Sequence, residues 1–430
     1  QSLHMLQSAR SVWPPALTAC LVLISARACA AVSGEPPTTS AWTRFRGPNG
    51  SGHSSATDLP TTWSEKDYRW KVRLPGTGHA SPVIWDEKIF LVCGDNATAK
   101  RMLVCLNTSD GRPVWQREYE SAEFSKNRDN SYGTSTPAVD RERVYFYWTT
   151  AEEVTVLALD HAGQQVWRRN LGPYKSQHGS GTSPIVFQDL VIVNNDQEGP
   201  SSLLALAAKT GATRWKVDRR TDRAAYSTPC VRQTEEGKLE LLFASSAHGI
   251  TAVDPQTGRT NWELSNAFPF RVVGSPVLAD GLIVGACGEG GIGRRVVGVR
   301  PPAGDRGPEL VYEMKNSIPY VPSPIYRSGL VFLWGDNGLV VCLRAATGER
   351  VWQRKISDRF YSSPICAGKR LYCVSRTGIV YVLAATDKDE LIASVPLGEP
   401  AFATPAVAAG VVYFRTASHL ISLPGRPAGR

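Results

Sequence analysis

Residues 183–218, "SPIVFQDLVIVNNDQEGPSSLLALAAKTGATRWKVD", contain the pattern that decides the fold. Four short runs of apolar and β-branched residues are separated by polar or glycine-containing turns, which is typical of four strands joined by hairpins. The stretch opens with a Ser-Pro dipeptide, and a glycine, Gly211, stands four residues before its tryptophan, Trp215. Four strands in about 40–50 residues predict one blade of a β-propeller.

The same unit recurs along the chain. A Ser-Pro or Thr-Pro dipeptide opens each copy, and successive copies begin 40 to 55 residues apart. The prolines of these dipeptides are Pro82, Pro137, Pro184, Pro229, Pro276, Pro324, Pro364 and Pro405. The glycine and tryptophan close five copies, as Gly111/Trp115, Gly163/Trp167, Gly211/Trp215, Gly258/Trp262 and Gly348/Trp352. We therefore predict an all-β, eight-bladed propeller in which these glycines shape turns and these tryptophans fill the wedges between blades.

The eighth copy lacks a fourth strand, and the beginning of the repeat region supplies one. Trp70 stands 12 residues before Pro82, the spacing that separates Trp352 from Pro364. We predict that residues 68–74 pair with the strand containing residues 420–423. This pairing closes the ring and covers both of its open edges.

The chain divides into three parts. Residues 1–30 have a basic residue, an apolar run and small residues, which is typical of a secretory signal peptide and predicts a periplasmic or secreted protein. An alternative is a lipoprotein box at residues 17–20, which would acylate Cys20. Residues 31–62 form a turn-rich lead-in, and residues 63–430 form the propeller. We expect a monomer without a transmembrane segment.

The lead-in contains "WTRFRGPNGSGHS" at residues 42–54, which is rich in glycine and basic residues. A phosphate-binding loop needs a strand before it and a helix after it. The residues that follow are polar and interrupted by Pro60, so no helix is expected. We predict that Arg44 and Arg46 pack and pair against the propeller rather than bind phosphate.

Charge and cysteine content argue against several functions. Loss of Arg10 and Arg27 with the signal peptide would lower the formal charge from +9 to +7, and the densest basic cluster is "RRTDR" at residues 219–223. Nucleic-acid binders concentrate their charge in one stripe, so no nucleic-acid partner is expected. Seven cysteines follow residue 30 without a CxxC motif, and most lie in strand-like runs, which predicts buried thiols.

The segments "TGATRW", "TGRTNW" and "TGERVW" resemble the tryptophan-docking pattern of the pyrroloquinoline-quinone (PQQ) repeat family of eight-bladed propellers. The resemblance covers residues 63–423. It implies the fold more than a function, because the family includes quinoprotein dehydrogenases, the BamB-like scaffold of outer-membrane β-barrel assembly, and secreted bacterial propellers. The segments "FRGPNGSG" and "LPTTWSE" look like the lead-in of the last group.

The resemblance leaves two functional classes open. A quinoprotein alcohol or sugar dehydrogenase would need PQQ, a calcium ion, an aspartate base and a disulfide between adjacent cysteines. The sequence has no adjacent cysteines and no haem motif. We therefore predict a non-catalytic propeller without a cofactor that binds a small polar ligand or an envelope protein. A PQQ-dependent oxidoreductase is the alternative.

Propeller geometry predicts a binding face. If each innermost strand begins at a Ser/Thr-Pro dipeptide, the residues just before these dipeptides and the turns after the second strands share one face. The residues before the dipeptides include aromatic, histidine and arginine side chains suited to sugars, carboxylates or an acidic loop: His79, Tyr132, His178, Arg223, Tyr226, Arg271, Tyr320, Arg359, Tyr361 and Phe402. The alternative is that each packs against the neighbouring blade. The longest insertion, residues 118–135, is expected to enter this face and cover the channel.

One segment has the beginning of a calcium-loop pattern. Asn194, Asp196 and Glu198 alternate before Gly199, but the closing glutamate of such a loop would fall at Ala205. A hairpin turn stabilised by its polar side chains is the preferred interpretation. We predict no metal site, and these three residues are only a weak candidate for one.

Overall fold

The computed structural model describes residues 40–426, so the predicted signal peptide and Cys20 lie outside the described residues. Eight sheets form eight blades, each with four antiparallel strands, which confirms the all-β, eight-bladed propeller. Three short 3-10 helices, Pro48–Gly50, Glu65–Asp67 and Ser265–Ala267, are the helical elements of the described chain. Among residues 40–426, no helix has the length and apolar character needed to cross a membrane.

Each of the first seven blades consists of four consecutive strands, from the innermost to the outermost. Blades 1 to 4 are β3–β6 (Val83–Trp85, Lys88–Gly94, Arg101–Asn107, Pro113–Tyr119), β7–β10 (Ala138–Val139, Arg143–Thr149, Val154–Asp160, Gln165–Asn170), β11–β14 (Ile185–Phe187, Leu190–Asn195, Gly199–Ala207, Thr213–Thr221) and β15–β18 (Cys230–Gln233, Leu239–Ser245, Gly249–Val253, Thr260–Leu264). Blades 5 to 7 are β19–β22 (Val277–Ala279, Leu282–Glu289, Ile292–Arg300, Glu309–Ile318), β23–β26 (Ile325–Arg327, Leu330–Trp334, Leu339–Arg344, Arg350–Lys355) and β27–β30 (Ile365–Ala367, Arg370–Val374, Ile379–Ala384, Leu391–Pro396).

Blade 8 combines the two ends of the described chain. Its inner strands are β31 (Ala406–Ala408), β32 (Val411–Arg415) and β33 (His419–Pro424), and its outermost strand is β2 (Trp70–Arg73). The pairing of β2 with β33 is antiparallel and places Trp70 opposite Ser422 and Arg73 opposite His419. The segment that precedes blade 1 in the chain thus supplies the outermost strand of blade 8.

The Ser/Thr-Pro dipeptides link neighbouring blades around the channel. The backbone N–H of the serine or threonine donates to the side-chain hydroxyl of its counterpart in the next blade, at 2.9–3.0 Å. These links run from Ser81 to Thr136, Thr136 to Ser183, Thr228 to Ser275, Ser275 to Ser323, Ser323 to Ser363 and Ser363 to Thr404. Six of the eight hydroxyls at this position thus accept an inter-blade hydrogen bond, which explains why serine or threonine recurs there.

The tryptophans dock between blades. The indole of Trp215 lies against Gly258 in the turn of the next blade and donates to the Pro255 carbonyl at 2.8 Å. Gly258 has φ +73°, and a Cβ there would lie 2.7 Å from the ring, so the turn requires glycine for its conformation and for this contact. The equivalent contacts join Trp70 to Gly111, Trp115 to Gly163, Trp167 to Gly211 and Tyr312 to Gly348. The glycine of each pair therefore receives the aromatic ring of the preceding blade.

Two of the predicted docking tryptophans differ from the others. Trp352 donates to the Thr386 carbonyl at 3.2 Å in a turn where Asp387 replaces the glycine. Trp262 remains half-buried, and its indole donates to Glu240 of its own blade at 3.2 Å. The cause is the altered turn of blade 5, which has no glycine at the docking position of the repeat.

Residues 42–54, called the N-terminal segment below, run inside the channel. Trp42 forms an antiparallel bridge with Ile84 of blade 1, and the Val139 N–H of blade 2 donates to the Thr43 carbonyl at 2.8 Å. Farther along, β1 (His53–Ser54) adds a parallel strand to the inner edge of blade 7. The N-terminal segment therefore joins blades that are not neighbours.

The arginines of this segment are buried, and both bind backbone carbonyls. Arg44 donates to the carbonyl of Pro229, and Arg46 donates to that of Pro324 at 2.7 Å. Burial lowers the pKa of Arg46 to about 9. These prolines open blades 4 and 6, so the two guanidinium groups serve to pack and pair against the propeller.

Candidate functional site

A cavity of about 940 Å³, called the funnel below, lies around the axis on the face that carries the residues preceding the dipeptides. Side chains from several blades line it, together with Phe45 of the N-terminal segment. The N-terminal segment therefore contributes to the funnel wall through Phe45.

Nine of the ten residues predicted for the binding face line this funnel: His79, His178, Arg223, Tyr226, Arg271, Tyr320, Arg359, Tyr361 and Phe402. Their convergence follows from the repeat, because each precedes an innermost strand. Tyr132 is instead buried under the guanidinium of Arg101, whose carbon lies 4.9 Å from the ring centroid. Tyr132 therefore packs against neighbouring residues, which is the alternative considered for each residue of this set.

The histidines of the funnel are biased toward the neutral form. His79 stacks on Phe402 with ring centroids 4.4 Å apart. Burial, assisted by the charge of Arg415, lowers the pKa of His79 to about 3. Burial and then Arg271 also lower the pKa of His178. The positive charge of the funnel at neutral pH therefore comes from its arginines.

Most of these arginines face a carboxylate. Arg271 contacts Glu198 at 3.3 Å, and Arg223 contacts Glu289 at 3.2 Å. Arg359 is exposed at the funnel and, within residues 40–426, has no ion pair with a carboxylate. The funnel is thus lined by paired charges with at least one arginine available to solvent.

A second group of funnel residues lies where the second strand of a blade ends, a part of the repeat that is expected on this face although none of its residues was predicted individually. Glu289 is the last residue of the second strand of blade 5, Asp336 and Arg376 occupy the following turns in blades 6 and 7, and all three line the funnel. Asp336 accepts hydrogen bonds from the N–H groups of Tyr320 at 2.6 Å and Val321 at 3.2 Å. Burial nevertheless raises the pKa of Asp336 to about 7. The common position of these residues in the repeat was the signal that could have identified them.

The insertion, residues 118–135, reaches across the mouth of the funnel. Its Asn130 amide donates to the carbonyls of His178 at 2.8 Å and Ser180 at 2.9 Å in the loop before blade 3. Asp129 accepts hydrogen bonds from Arg376 at 2.7 Å and Tyr361 at 3.2 Å, both of blade 7. The insertion thus connects two distant parts of the funnel wall.

A family model for the PQQ repeat, described as outer membrane protein assembly factor BamB, matches residues 61–146, 134–300 and 296–421. The chain belongs to this BamB-like family. The outer membrane protein assembly factor BamB of Burkholderia pseudomallei (strain K96243) is 23% identical over 249 residues. That match covers 54% of this chain and 58% of the relative, so it spans little more than half of that protein's length.

Solved structures share the fold of this BamB-like chain at low sequence identity. BamB from Moraxella catarrhalis is 17% identical, with a TM-score of 0.59 over 84% of this chain and 98% of the other. A europium-containing methanol dehydrogenase is 12% identical, with a TM-score of 0.67 over 91% and 92% of the two chains. The propeller thus resembles both BamB and a methanol dehydrogenase, and the comparison establishes the fold alone.

The donors of the BamB-like chain do not match a calcium-bound quinone. Asp129, Glu198 and Glu289 of the funnel are paired with arginines. Across residues 40–426, no three His, Cys, Asp or Glu side chains are grouped so that they could hold a metal ion. The described cysteines are buried free thiols, and none is adjacent in sequence to another. No chemical step is therefore assigned to such a cofactor.

The three residues of the weak calcium candidate contact separate partners. The Asn194 amide donates to the Ser227 carbonyl at 3.3 Å, and Asp196 is buried in an ion pair with Arg219, with Nε and Oδ1 2.7 Å apart. Glu198 faces Arg271 in the funnel. These contacts favour the structural interpretation of Asn194, Asp196 and Glu198.

Proposed function

We propose that this BamB-like propeller is a non-catalytic binding protein of the cell envelope that takes a small polar ligand into the funnel. The observation that carries the proposal is the form of the cavity: about 940 Å³, lined by charged, hydroxyl, amide and aromatic side chains that converge from several blades. Cavities of this size suit small molecules, and convergent polar groups fix a ligand's orientation. The envelope location rests on the family and on the predicted signal peptide.

The distribution of exposed apolar side chains supports a small ligand over a protein partner at the funnel. The large apolar residues exposed in the described chain lie on outer or third strands of several blades: Val114, Val166, Ile292, Leu310, Leu391 and Ile392. A protein-docking surface would group such residues into a patch. A scaffold role at a blade edge, as the name of the BamB relatives suggests for those proteins, is the second candidate.

A binding screen with a blocking variant tests the proposal. Neutral sugars, acidic sugars, amino acids and nucleotides are tested by thermal shift, and each hit is measured by calorimetry. The variant Gln177→Trp places a large ring in the funnel from an exposed position, and Gln116→Trp makes the same change on the outer strand of blade 1. We expect at least tenfold weaker binding in Gln177→Trp and wild-type binding in Gln116→Trp.

Three results would contradict this function. Binding that is unaffected by Gln177→Trp would place the ligand elsewhere. A complete absence of hits, with a protein partner recovered whose binding depends on a blade edge, would favour the scaffold. Dye-linked turnover of alcohols or sugars after addition of PQQ and Ca²⁺ would identify an enzyme.

A further inference from the structure

The carboxylate of Asp129 occupies a ready-made anion site on blade 7. One oxygen accepts from Arg376 Nη2 at 2.7 Å, and the other accepts from the Tyr361 hydroxyl at 3.2 Å. Because both oxygens have their own donor, the site is geometrically complete for a carboxylate. The side chains of Asp129 and Arg376 are each 21% exposed, so solvent reaches the pair.

Aromatic rings hold the donors of this site in place. The guanidinium of Arg376 lies 4.6 Å from the centroid of Tyr361 and 5.5 Å from that of Phe402. Phe402 is in turn stacked on His79, a ring that is neutral at physiological pH because of its lowered pKa. Cation–π contacts and stacking therefore fix Arg376 without neutralising its charge.

The surrounding wall is rich in groups that bind hydroxyls. Amide and hydroxyl side chains line the same funnel, among them Asn127, Thr134, Thr136, Gln177, Ser180 and Thr404. A ring with many hydroxyl groups can form hydrogen bonds to such a wall while its C–H face packs on aromatic rings. A carboxylate on that ring would be bound by Arg376 and Tyr361.

We propose that the ligand is a sugar acid whose carboxylate binds Arg376 and Tyr361, and that Asp129 occupies this site as an internal competitor until the ligand displaces it. This inference rests on the proposed ligand-binding function. Asp129 can leave the site without detaching the insertion from the funnel wall, because the neighbouring Asn130 amide holds the carbonyls of His178 and Ser180 independently of the Asp129 carboxylate. Within the turn, the Asp129 N–H donates to the Asn127 side chain and the Asn130 N–H to the Asn127 carbonyl, each at 2.9 Å.

The test uses two sugars that differ at one group. Galacturonate carries a carboxylate where galactose carries a hydroxymethyl group. We expect the wild-type protein to bind galacturonate at least tenfold more tightly than galactose in calorimetry. Arg376→Gln should lose this preference, because it removes the cation but keeps a hydrogen-bond donor.

Asp129→Asn tests the competition. While Asp129 competes for the site, galacturonate binds only the fraction of molecules in which the site is open, and its apparent affinity is lowered by that fraction. Removing the charge of Asp129 should therefore tighten galacturonate binding about fivefold. Glu123→Gln removes the same charge from an exposed position of the same insertion, outside the funnel lining. It should change the affinity less than twofold. Asp389→Asn breaks a comparable ion pair, with Arg354 at 2.6 Å, on the outer side of blades 6 and 7 and controls for stability.

Hydrogen exchange separates displacement from a simple charge effect. If the ligand replaces Asp129, galacturonate should accelerate exchange at the amides of residues 129 and 130 in the wild-type protein while slowing exchange elsewhere in the funnel. In Asp129→Asn these amides should already exchange rapidly without ligand.

The possible results separate a failure of the sugar-acid assignment from a failure of the proposed ligand-binding function. Equal binding of galactose and galacturonate, or affinities unchanged in Asp129→Asn and Arg376→Gln, would overturn the sugar-acid assignment while leaving a ligand in the funnel. Failure of both sugars to bind any variant would overturn it as well. In that case, hits from the broader screen that are blocked by Gln177→Trp would preserve the proposed function.

Discussion

The side-chain amide of Asn49 pairs with the backbone of Val231 as a neighbouring strand would. Its Nδ2 donates to the Val231 carbonyl and its Oδ1 accepts from the Val231 N–H, each at 2.7 Å. Val231 lies on the innermost strand of blade 4, whose free edge faces the channel. One side chain of the N-terminal segment thereby satisfies two backbone groups that would otherwise be unpaired and buried.

Asn49→Ala should therefore destabilise the propeller by about 2–4 kcal/mol, because it leaves a buried donor and a buried acceptor without partners. Urea unfolding followed by tryptophan fluorescence measures the effect. Asn96→Ala, at an exposed turn position of blade 1, is the control and should change the free energy of unfolding by less than about 0.5 kcal/mol. Equal stabilities of the two variants would show that the N-terminal segment does not stabilise the channel.

The docking tryptophans are predicted to differ in how much each contributes to the free energy of unfolding. Trp215→Ala should cost about 3–5 kcal/mol, because the ring is 7% exposed and fills the space above Gly258. Trp262→Ala should cost less than half as much, because its half-buried ring has no glycine beneath it in the next blade. Thermal and urea unfolding of the two variants compare them directly, and equal losses would contradict a role for the inter-blade contact.

The fold could be predicted because the same sequence pattern recurs from blade to blade. The eight dipeptides mark the innermost strands, and the structure adds the reason for the hydroxyl, since Thr136 and Ser183 accept hydrogen bonds from the preceding blade. The direction of docking could not be predicted, because Gly258 and Trp262 are close in sequence whereas Gly258 contacts Trp215. Sequence spacing identifies the glycine and the tryptophan that recur within each copy, but it does not show which copies are in contact.

The lining of the funnel could be predicted only where it follows the repeat. The positions of Arg271 and Tyr226 in this lining could be predicted because each precedes a dipeptide. The contact of Asp129 with Arg376 joins residues 247 positions apart through a loop that occurs once in the chain. Similarly, Arg46 reaches Pro324 through a segment that is not part of any blade. Repetition carries no information about such single connections.

The buried histidine of the N-terminal segment should make stability depend on pH. The His53 Nε2–H donates to the Tyr326 carbonyl at 2.5 Å. Burial is the main cause that lowers its pKa to about 4 from an ordinary 6.5, and the charges of Arg327 and Arg46 act in the same direction. The folded protein therefore binds this proton less readily than the unfolded chain does.

The contribution of His53 is fully present above about pH 6.5, decreases as the pH falls, and is lost below about pH 4, with a total of up to about 3 kcal/mol. His53→Gln retains an N–H donor and does not titrate, so its unfolding free energy should fall less steeply between pH 6.5 and 4. His79 has a lowered pKa as well, so part of the slope should remain in this variant. Parallel pH profiles of the wild type and His53→Gln would contradict the assignment.

The last prediction concerns the pairing of β2 with β33. A variant lacking residues 40–74 would lose four strand partners of residues 419–422 and the Trp70 ring, whose indole donates to the Thr108 carbonyl of blade 1 at 3.0 Å. The open edge of β33 and the uncovered side of blade 1 should then promote aggregation. Trp70→Ala keeps the strand and removes only the ring, so it should lower the unfolding temperature without promoting aggregation. Size-exclusion chromatography with light scattering distinguishes the two variants, and a deletion variant that neither aggregates nor loses thermal stability would show that the closed propeller does not depend on this strand.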